Sequence, residues 1–249
     1  MKRAKALTVI GTKYLFTQPT IKSSLDLPAL TTLHLENVVL DNEKRDKYNG
    51  LFSKCLNLKN LTLSNCSIHD HNDYFTQDKF SYLTPEKGLY SVANVVAPHL
   101  KNLTVEDCTG HLKIYAPELT SLKYEAPCYE NFYARGLSCL EKVEFFMCPF
   151  EEDGHAIIKM LQQFHNVKHL TLGLEILELE SVVDAVSNLP SPFANLKSLK
   201  IYPRRDYGEK KVNIPTQVKN FLLGASPNAT VSIYSREEVK AFKYPKCPK

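Results

Sequence analysis

The densest group of side chains that could bind a metal ion is the segment His69-Asp70-His71-Asn72-Asp73. Its imidazole, carboxylate and amide groups could supply four ligands to one ion. Metal ligands, however, have to be held in place by a rigid surrounding layer of contacts, which a polar turn does not provide. We therefore interpret the segment as a solvated turn, with a metal site as the alternative, and we predict no metal and no cofactor.

A second pair of imidazoles, on His165 and His169, has the spacing of neighbours on one helix face. The leucines around His169 follow the spacing of a strand, so the two rings are not expected to converge. The chain also lacks the G-x-G-x-x-G, G-x-S-x-G and H-E-x-x-H motifs of common enzyme classes. Acidic pairs such as Glu151-Glu152 fit a solvated surface better than an acid–base pair. The sequence therefore predicts that the protein is not an enzyme.

Charge and composition argue against two further classes of partner. The 31 basic and 27 acidic residues give a net charge of +4, and the basic residues are scattered among acids, whereas a general nucleic-acid binder concentrates them on one surface. No apolar run approaches the roughly 20 residues that cross a bilayer, and the N-terminus lacks the apolar core of a signal peptide. We expect no nucleic acid, no membrane, and a cytoplasmic or nuclear location in which the cysteines are mostly free thiols.

A recurring pattern of apolar and polar residues indicates the elements that position these side chains. An apolar residue is followed by two polar ones and then by an apolar–polar–apolar alternation, as in CLNLKNLTLSNCSI over residues 55–68. The alternation is the signature of a short strand with one buried face. Weaker copies contain Leu7 and Val9 near the start and Val231 and Ile233 near the end. The seven clear copies have the apolar triplets Leu30/Leu33/Leu35, Leu58/Leu61/Leu63, Leu100/Leu103/Val105, Leu119/Leu122/Tyr124, Leu140/Val143/Phe145, Val167/Leu170/Leu172 and Leu196/Leu199/Ile201.

The spacing of these triplets is that of a leucine-rich repeat. From Leu33 to Leu199 the middle residues are 28, 42, 19, 21, 27 and 29 positions apart, mostly within the range of that repeat class. One such strand cannot bury its apolar face alone, whereas a stack of strands shares a continuous core. We predict one domain over residues 1–249, a leucine-rich-repeat solenoid of the α/β class. Parallel strands should line the concave face of a curved right-handed superhelix, with helices and irregular segments on the convex face.

Three cysteines occupy one position of the repeat. Cys66, Cys108 and Cys148 each follow the middle triplet residue by five positions, where the pattern calls for Asn or Cys. A small side chain there can fill the tight bend that leaves the strand, with its thiol facing the interior. Residues at one repeat position lie a strand apart and do not converge as four zinc ligands do. We predict structural thiols with neither a metal nor a disulfide.

Three segments between the strands have helical periodicity. They are residues 153–164, which begin with Asp153 as an available cap, residues 179–189, and residues 216–224, which begin with a Thr216 cap and end at Gly224. The 42-residue interval should contain an extra loop over residues 69–88. The 19- and 21-residue intervals leave room only for short irregular connections on the outer side.

The polar positions of each strand define the surface that a partner could contact, because successive side chains point to opposite faces of a sheet. The positions that lead each strand, among them Lys142, His169 and Ser198, share this face. A wide face of mixed polarity with a few aromatic residues suits a protein partner, although any single residue could be an ordinary solvated strand position. The predicted partner-binding concave face consists of His34, Glu36, Thr62, Ser64, Thr104, Glu106, Lys123, Glu125, Glu144, Phe146, Thr171, Lys200 and Tyr202.

The amino-acid sequence of the repeats resembles that of plant F-box/leucine-rich-repeat proteins of the ribonuclease-inhibitor-like superfamily. The similar segments are LPALTTLHLENVVL, LFSKCLNLKNLTLSNCSI, LKIYAPELTSLKY and VKNFLLGASPNATVSI, and the phrase AP-x-L-x-x-L is the more specific part. The resemblance covers nearly the whole chain. It implies that the repeats are the target-binding half of a substrate receptor, which an F-box docks to a Skp-type adaptor and a cullin in a ubiquitin ligase.

We therefore predict a protein–protein interaction module that resembles the substrate-recognition part of an SCF-type E3 ubiquitin ligase receptor and binds target proteins. No F-box is expected within the chain, so the adaptor and cullin are predicted partners only if an F-box lies upstream of Met1. One alternative is a small-molecule sensor of the same family with an inositol-phosphate cofactor, although Glu125 and Glu144 dilute the basic residues that such a pocket needs. The other is a free-standing scaffold unconnected with ubiquitin.

The first repeat should expose apolar surface on its outer side. A solenoid's end repeats need polar caps, because an uncapped end leaves half of its stacking interface in water. Only MKRAKA precedes Leu7, which is too short for a capping helix. We expect apolar surface beside Ala4, Leu7 and Val9, and fraying or self-association at this end.

Overall fold

The computed structural model describes residues 4–12, 18–21, 25–41, 50–69, 92–126, 132–147, 154–203 and 214–234. Within these ranges the protein is of the α/β class, with 15 strands and four helices. The strand pairings within each unit are parallel. The chain divides into two compact units. Unit 1 comprises residues 1–100, 108–117 and 130–136, and unit 2 comprises residues 101–107, 118–129 and 137–249. Because a repeat contacts only its neighbours, this division is compatible with one domain, which stays a prediction.

Unit 1 contains three adjacent strands of the repeat pattern, namely β1 (Ala6–Ile10), β3 (Thr32–Glu36) and β5 (Asn60–Ser64). Their registers place Leu33 opposite both Leu7 and Leu61, so equivalent repeat positions stack. The triplet leucines of β3 and β5 are buried, whereas Leu7 and Val9 in the end strand are half-buried, and Ala4 is exposed. The predicted strand register is confirmed in this unit.

Further strands of unit 1 form two more parallel sheets. One contains β2 (Thr20–Ile21), β4 (Val39–Asp41) and β6 (Ser67–His69). The other contains β7 (Val92–Val96), β9 (His111–Tyr115) and β11 (Phe132–Arg135), in the spatial order β7-β9-β11. The expectation of irregular connections in the two shortest repeat intervals was wrong, because each of them contains a strand, β9 or β11.

A shared turn geometry follows several of the repeat strands. Asn37, Asn65 and Asp107, each four positions after a middle triplet leucine, adopt left-handed backbone conformations with φ of 53°, 51° and 50°. Asn and Asp tolerate this conformation better than most residues that carry a side chain. Cys66 and Cys108 follow directly and are 1% and 3% exposed, which confirms the predicted interior bend position. Cys148 lies outside the described residues.

Unit 2 is built on a six-stranded parallel sheet. Its triplet residues are buried from Leu103 to Ile201, and its registers align Leu122, Val143 and Leu170 as adjacent repeats require. The last strand is less covered, since Val231 and Ile233 are 45% and 46% exposed. In spatial order the strands are β8 (Asn102–Glu106), β10 (Ser121–Ala126), β12 (Lys142–Met147), β13 (His169–Gly173), β14 (Ser198–Tyr202) and β15 (Thr230–Ile233).

Helices accompany the later strands of unit 2. They are α1 (Gly154–Gln162), α2 (Leu174–Leu177), α3 (Glu180–Val186) and α4 (Thr216–Leu223). The three predicted helical segments are confirmed and α2 is an addition. None of the helices in the described ranges is long and apolar enough to cross a membrane.

Details of the helix ends differ from the sequence prediction. Thr216 is the first helical residue and not the cap, because Pro215 occupies the cap position without a side-chain hydrogen bond. Gly224 ends α4 but keeps a right-handed conformation, with φ of −57°.

Asp153 and the loop of residues 70–88 lie outside the described residues. His169 is on a strand and His165 follows α1, as predicted.

The helices predicted on the convex side are present in the later repeats, but the irregular segments predicted for the others are not what the structure shows. Within the described ranges, helices occur only between residues 154 and 223, and the second elements of the earlier repeats are strands. An apolar alternation continues after the left-handed turns, at Val38 and Leu40 and at Cys66 and Ile68, and all four of these side chains are buried. A period of two supports a strand and not a helix. The structure therefore establishes an α/β fold with a large parallel sheet, and the right-handed superhelix stays a prediction.

Candidate binding face

The polar side of strands β10, β12, β13 and β14 in unit 2 contains a depression of about 580 Å³. The repeat leucines of these strands are buried on the opposite side, as the alternation of side chains along a strand requires. We name this surface the strand-face depression. It is lined by Lys123, Glu125, Lys142, Glu144, Phe146, His169, Thr171, Ser198, Lys200 and Tyr202.

The strand registers arrange this lining in three rows. The leading row contains Lys142, His169 and Ser198, which are directly opposite one another on β12, β13 and β14. The middle row runs Lys123, Glu144, Thr171, Lys200, and the trailing row runs Glu125, Phe146, Gly173, Tyr202. Seven of the thirteen predicted partner-binding residues therefore lie together around one depression. The leading row was also expected on this face.

Two of the three lysines in the depression are already neutralised. The Nζ atom of Lys123 is 2.6 Å from Oε1 of Glu106 and 3.6 Å from Oε2 of Glu125. The Nζ atom of Lys142 is 2.7 Å from Oε1 of Glu144. Such ion pairs on a partly exposed surface contribute little to stability, but they determine which charges remain available to a partner.

Glu125 is buried, although its strand position predicts a solvated side chain. It is only 7% exposed, whereas Lys123 on the same strand and Glu144 on the neighbouring strand β12 are half-buried. Burial raises the pKa of Glu125 to about 7; the positive charge of Lys123 opposes this shift, and the negative charges of Glu106 and Asp107 reinforce it. Burial by itself would lower the pKa of Lys123, but the hydrogen bond and the charge of Glu106 raise it.

Aromatic side chains border the trailing edge of the depression. The rings of Phe146 and Tyr202 are in edge-to-face contact, with centroids 6.2 Å apart. On its other side Tyr202 stacks on Tyr234, with a centroid distance of 4.3 Å and an interplanar angle of 4°. Both arrangements are favourable for aromatic pairs. We name Phe146, Tyr202 and Tyr234 the aromatic row.

Tyr234 was missed by the sequence prediction, although the repeat register contains a signal for it. Tyr202 comes directly after the buried Ile201, and Tyr234 comes directly after Ile233, the equivalent residue of the weak final copy. Extending the trailing positions to that copy would have identified Tyr234.

The remaining predicted residues lie on neighbouring strands of their own units. In unit 2, Thr104 is opposite Lys123 and Glu106 is opposite Glu125, so β8 continues the strand face. In unit 1 the four remaining residues occupy equivalent positions on β3 and β5, where Ser64 is buried and the others are half-buried. These four are His34, Glu36, Thr62 and Ser64, paired as His34 with Thr62 and Glu36 with Ser64.

One pair in the depression resembles part of a catalytic arrangement. Nδ1 of His169 and Oγ of Ser198 share a hydrogen bond of 2.9 Å. A nucleophilic serine needs in addition an acid that orients the histidine and donors for the developing oxyanion. Within the described ranges no carboxylate forms an ion pair with His169, so we interpret the pair as a polar contact of the face. That the protein is not an enzyme stays a prediction.

Metal binding has no candidate in the described part of the chain, where no group of three or more His, Cys, Asp and Glu side chains is arranged to hold an ion. The segment from Asp70 to Asp73 lies outside the described residues, so the absence of a metal there stays a prediction. The thiols of Cys66 and Cys108 are free and hydrogen-bonded to each other, and a backbone carbonyl oxygen lies near each sulfur, Leu35 O at 3.5 Å from Sγ of Cys66 and Leu63 O at 3.6 Å from Sγ of Cys108.

Comparison with known proteins finds a distant relative. The chain is similar to a candidate F-box/LRR-repeat protein of Arabidopsis thaliana, with 26% identity. The match covers 58% of this chain and 35% of the relative, so the chain spans little more than a third of the length of the curated protein it matches. No protein-family model matches the chain, and no solved structure matches it significantly.

Proposed function

We propose that the protein is a protein-interaction module whose partner binds the strand-face depression of unit 2. The observation that carries this proposal is the aromatic row beside a set of ion-paired side chains. Tyrosine and other aromatic residues contribute large contact areas and are enriched at protein interfaces and their energetic hot spots. Polar strand residues around them match the polar rim of such an interface.

A more specific form of the proposal is recognition of target proteins for ubiquitination, as part of an SCF-type E3 ligase receptor. It is supported by the leucine-rich-repeat pattern and by the name of the Arabidopsis relative, which combines an F-box with such repeats. Association with a Skp-type adaptor and a cullin would require an F-box in a longer protein. The proposal places the protein in the cytoplasm or nucleus, in a non-enzymatic role.

The small-molecule sensor is the less favoured alternative. A pocket for a polyphosphate needs several uncompensated cations close together. In the strand-face depression the ion pairs with Glu106, Glu125 and Glu144 neutralise Lys123 and Lys142. A surface on which two of the three lysines are already paired is better suited to a polypeptide.

The experiment compares the proteins captured from an extract of the source cells by the wild-type chain, by Phe146→Ala and by Leu189→Ala. Phe146 belongs to the aromatic row, whereas Leu189 is a partly exposed leucine of unit 2 outside the depression. We expect a defined set of captured proteins to be lost with Phe146→Ala and retained with Leu189→Ala. Identical sets for all three proteins would contradict the proposal.

A further inference from the structure

The charges of the strand-face depression are unevenly compensated. Lys123 is paired with Glu106 and Glu125, and Lys142 is paired with Glu144. Lys200 lines the same depression and is exposed, and no carboxylate in the described part of the chain forms an ion pair with it. Among the described residues, the lining therefore contains one lysine without a counter-charge, while each of its carboxylates already has one.

Lys200 also has a defined position relative to the aromatic row. It lies on β14 two residues before Tyr202, so both side chains point to the same face. Its neighbours in the middle row are Thr171 on β13 and Ser232 on β15, which are uncharged. An uncompensated cation thus lies beside the aromatic row, with hydroxyl groups on either side of it. Within the row Tyr202 is only 8% exposed, so the half-buried rings of Phe146 and Tyr234 supply most of its accessible surface.

We propose that the strand-face depression binds an acidic peptide segment of the partner, with a carboxylate on Lys200 and an adjacent apolar or aromatic side chain on Phe146, the more accessible ring of the aromatic row that lines the depression. This inference rests on the proposed function and specifies the chemistry of the partner. The existing carboxylates disfavour a basic segment, because each is already neutralised by a lysine that a basic side chain would have to displace.

The two contacts have different roles. An exposed lysine–carboxylate pair adds little affinity, because both groups lose hydration and side-chain freedom. It does control the choice of partner and the rate of encounter, because unlike charges attract and like charges repel. Burial of an apolar side chain on the aromatic row supplies most of the affinity, as at other interface hot spots.

The test selects peptides from a phage-displayed library of random peptides on the immobilised full chain. The strongest peptide is then synthesised with a fluorophore, and its Kd is measured by fluorescence anisotropy. We expect selected peptides to be enriched in Asp or Glu next to an aromatic or aliphatic residue. Lys200→Glu should weaken binding about tenfold, and Lys200→Gln should weaken it less, because reversal of a charge adds repulsion to the loss of attraction.

Matched controls separate the effect of the Lys200 charge on binding from an effect of the substitution on folding. Lys159→Glu makes the same change at an exposed position on α1, outside the depression, and should leave the Kd within about twofold. Replacing the acidic residue of the peptide by Lys should weaken binding to the wild type and strengthen binding to Lys200→Glu. Lys200→Gln keeps the size of the side chain and reports on the charge if Lys200→Glu fails to fold.

The outcomes distinguish this inference from the proposed function. Selected peptides without acidic enrichment, or peptides that bind wild type, Lys200→Glu and Lys200→Gln equally while Phe146→Ala abolishes binding, overturn the acidic-partner inference alone. If no peptide survives selection, or if Phe146→Ala also leaves binding unchanged, both the inference and the proposed use of this face are overturned.

Discussion

Phe146 and Tyr202 contact each other across a residue that has no side chain. They are on β12 and β14, and Gly173 of the intervening strand lies between them, paired with Tyr202 and adjacent to Phe146. Because Gly173 has only a hydrogen at this position, the two rings approach to a centroid distance of 6.2 Å. Gly173 itself has an ordinary extended conformation, with φ of −69° and ψ of 138°. Its importance therefore comes from the space that it leaves.

Replacing Gly173 by Leu should separate the two rings. A Cβ atom at this position would already be 3.0 Å from a carboxylate oxygen of Glu175 and 3.7 Å from the ring of Phe146. Overfilling such a site typically costs about 1–3 kcal/mol of stability. We expect Gly173→Leu to reduce partner capture to the level of Phe146→Ala. The denaturant midpoint of each variant is measured as well, to establish that it is folded. Full capture by a folded Gly173→Leu variant would show that the ring contact is not required.

The repeat leucines should carry the stability of unit 2, whereas the polar face should not. Leu170→Ala should cost about 2–5 kcal/mol, because it leaves a cavity among buried side chains. Lys200→Ala should change the free energy of unfolding by no more than about 0.5 kcal/mol, as exposed substitutions do. Urea unfolding of both variants measures the difference. The reverse order of midpoints would be incompatible with the observed burial.

Glu125 should make the folded state less stable as the pH rises. Its pKa is about 7 in the folded protein, against 4.5 for an ordinary glutamate. Between these values the folded state holds a proton that the unfolded chain has released, so unfolding becomes more favourable as pH increases through this window. Lys123, Glu106 and Asp107 face this carboxyl and remain in place in a Glu125→Gln variant.

The measurement is the difference in unfolding free energy between wild type and Glu125→Gln at several pH values. The variant should gain stability relative to wild type as the pH rises from 4.5 to about 7, and it should keep that gain at higher pH, because Gln has no charge to bury. A difference that does not change across this window would show that the carboxyl titrates as an ordinary glutamate.

Cys66 and Cys108 should react only after unfolding. A hydrogen bond with Cys108 lowers the pKa of the Cys66 thiol against the effect of its burial, but a reagent cannot reach either sulfur in the folded protein. Cys139 is exposed and should react before either of them. Alkylation with iodoacetamide before and after denaturation, followed by peptide mass spectrometry, measures this order. A bridge between Cys66 and Cys108, or stoichiometric zinc in the purified protein, would contradict the assignment of structural thiols.

An inositol polyphosphate should not stabilise the protein. The lysines of the strand-face depression are largely neutralised by Glu106, Glu125 and Glu144, and a ligand stabilises a protein only by binding its folded state. We expect no change in melting temperature when inositol hexakisphosphate is added in large excess over the protein. A dose-dependent increase that Lys200→Glu abolishes would instead favour the small-molecule sensor.

The strands that bear the repeats, and the direction in which their side chains point, could be predicted from local sequence. Triplets such as Val167/Leu170/Leu172 are local patterns, and alternation along a strand assigns one face to the core wherever that strand is placed. Leu122, Leu170 and Leu199 are buried for this reason. The polar residues that alternate with the apolar ones along each strand share the opposite face. The three rows of the strand-face depression could therefore be predicted in outline.

The interactions made within those rows depend on how the repeats pack in three dimensions. The ion pair of Lys123 with Glu106, the burial of Glu125 and the contact of Phe146 with Tyr202 all involve more than one repeat. Such contacts require the lateral register of parallel strands and the space left by a glycine, neither of which is encoded within a single repeat. The two further sheets of unit 1, β2-β4-β6 and β7-β9-β11, were missed for the same reason. A short segment becomes a strand when a neighbouring backbone is placed to pair with it.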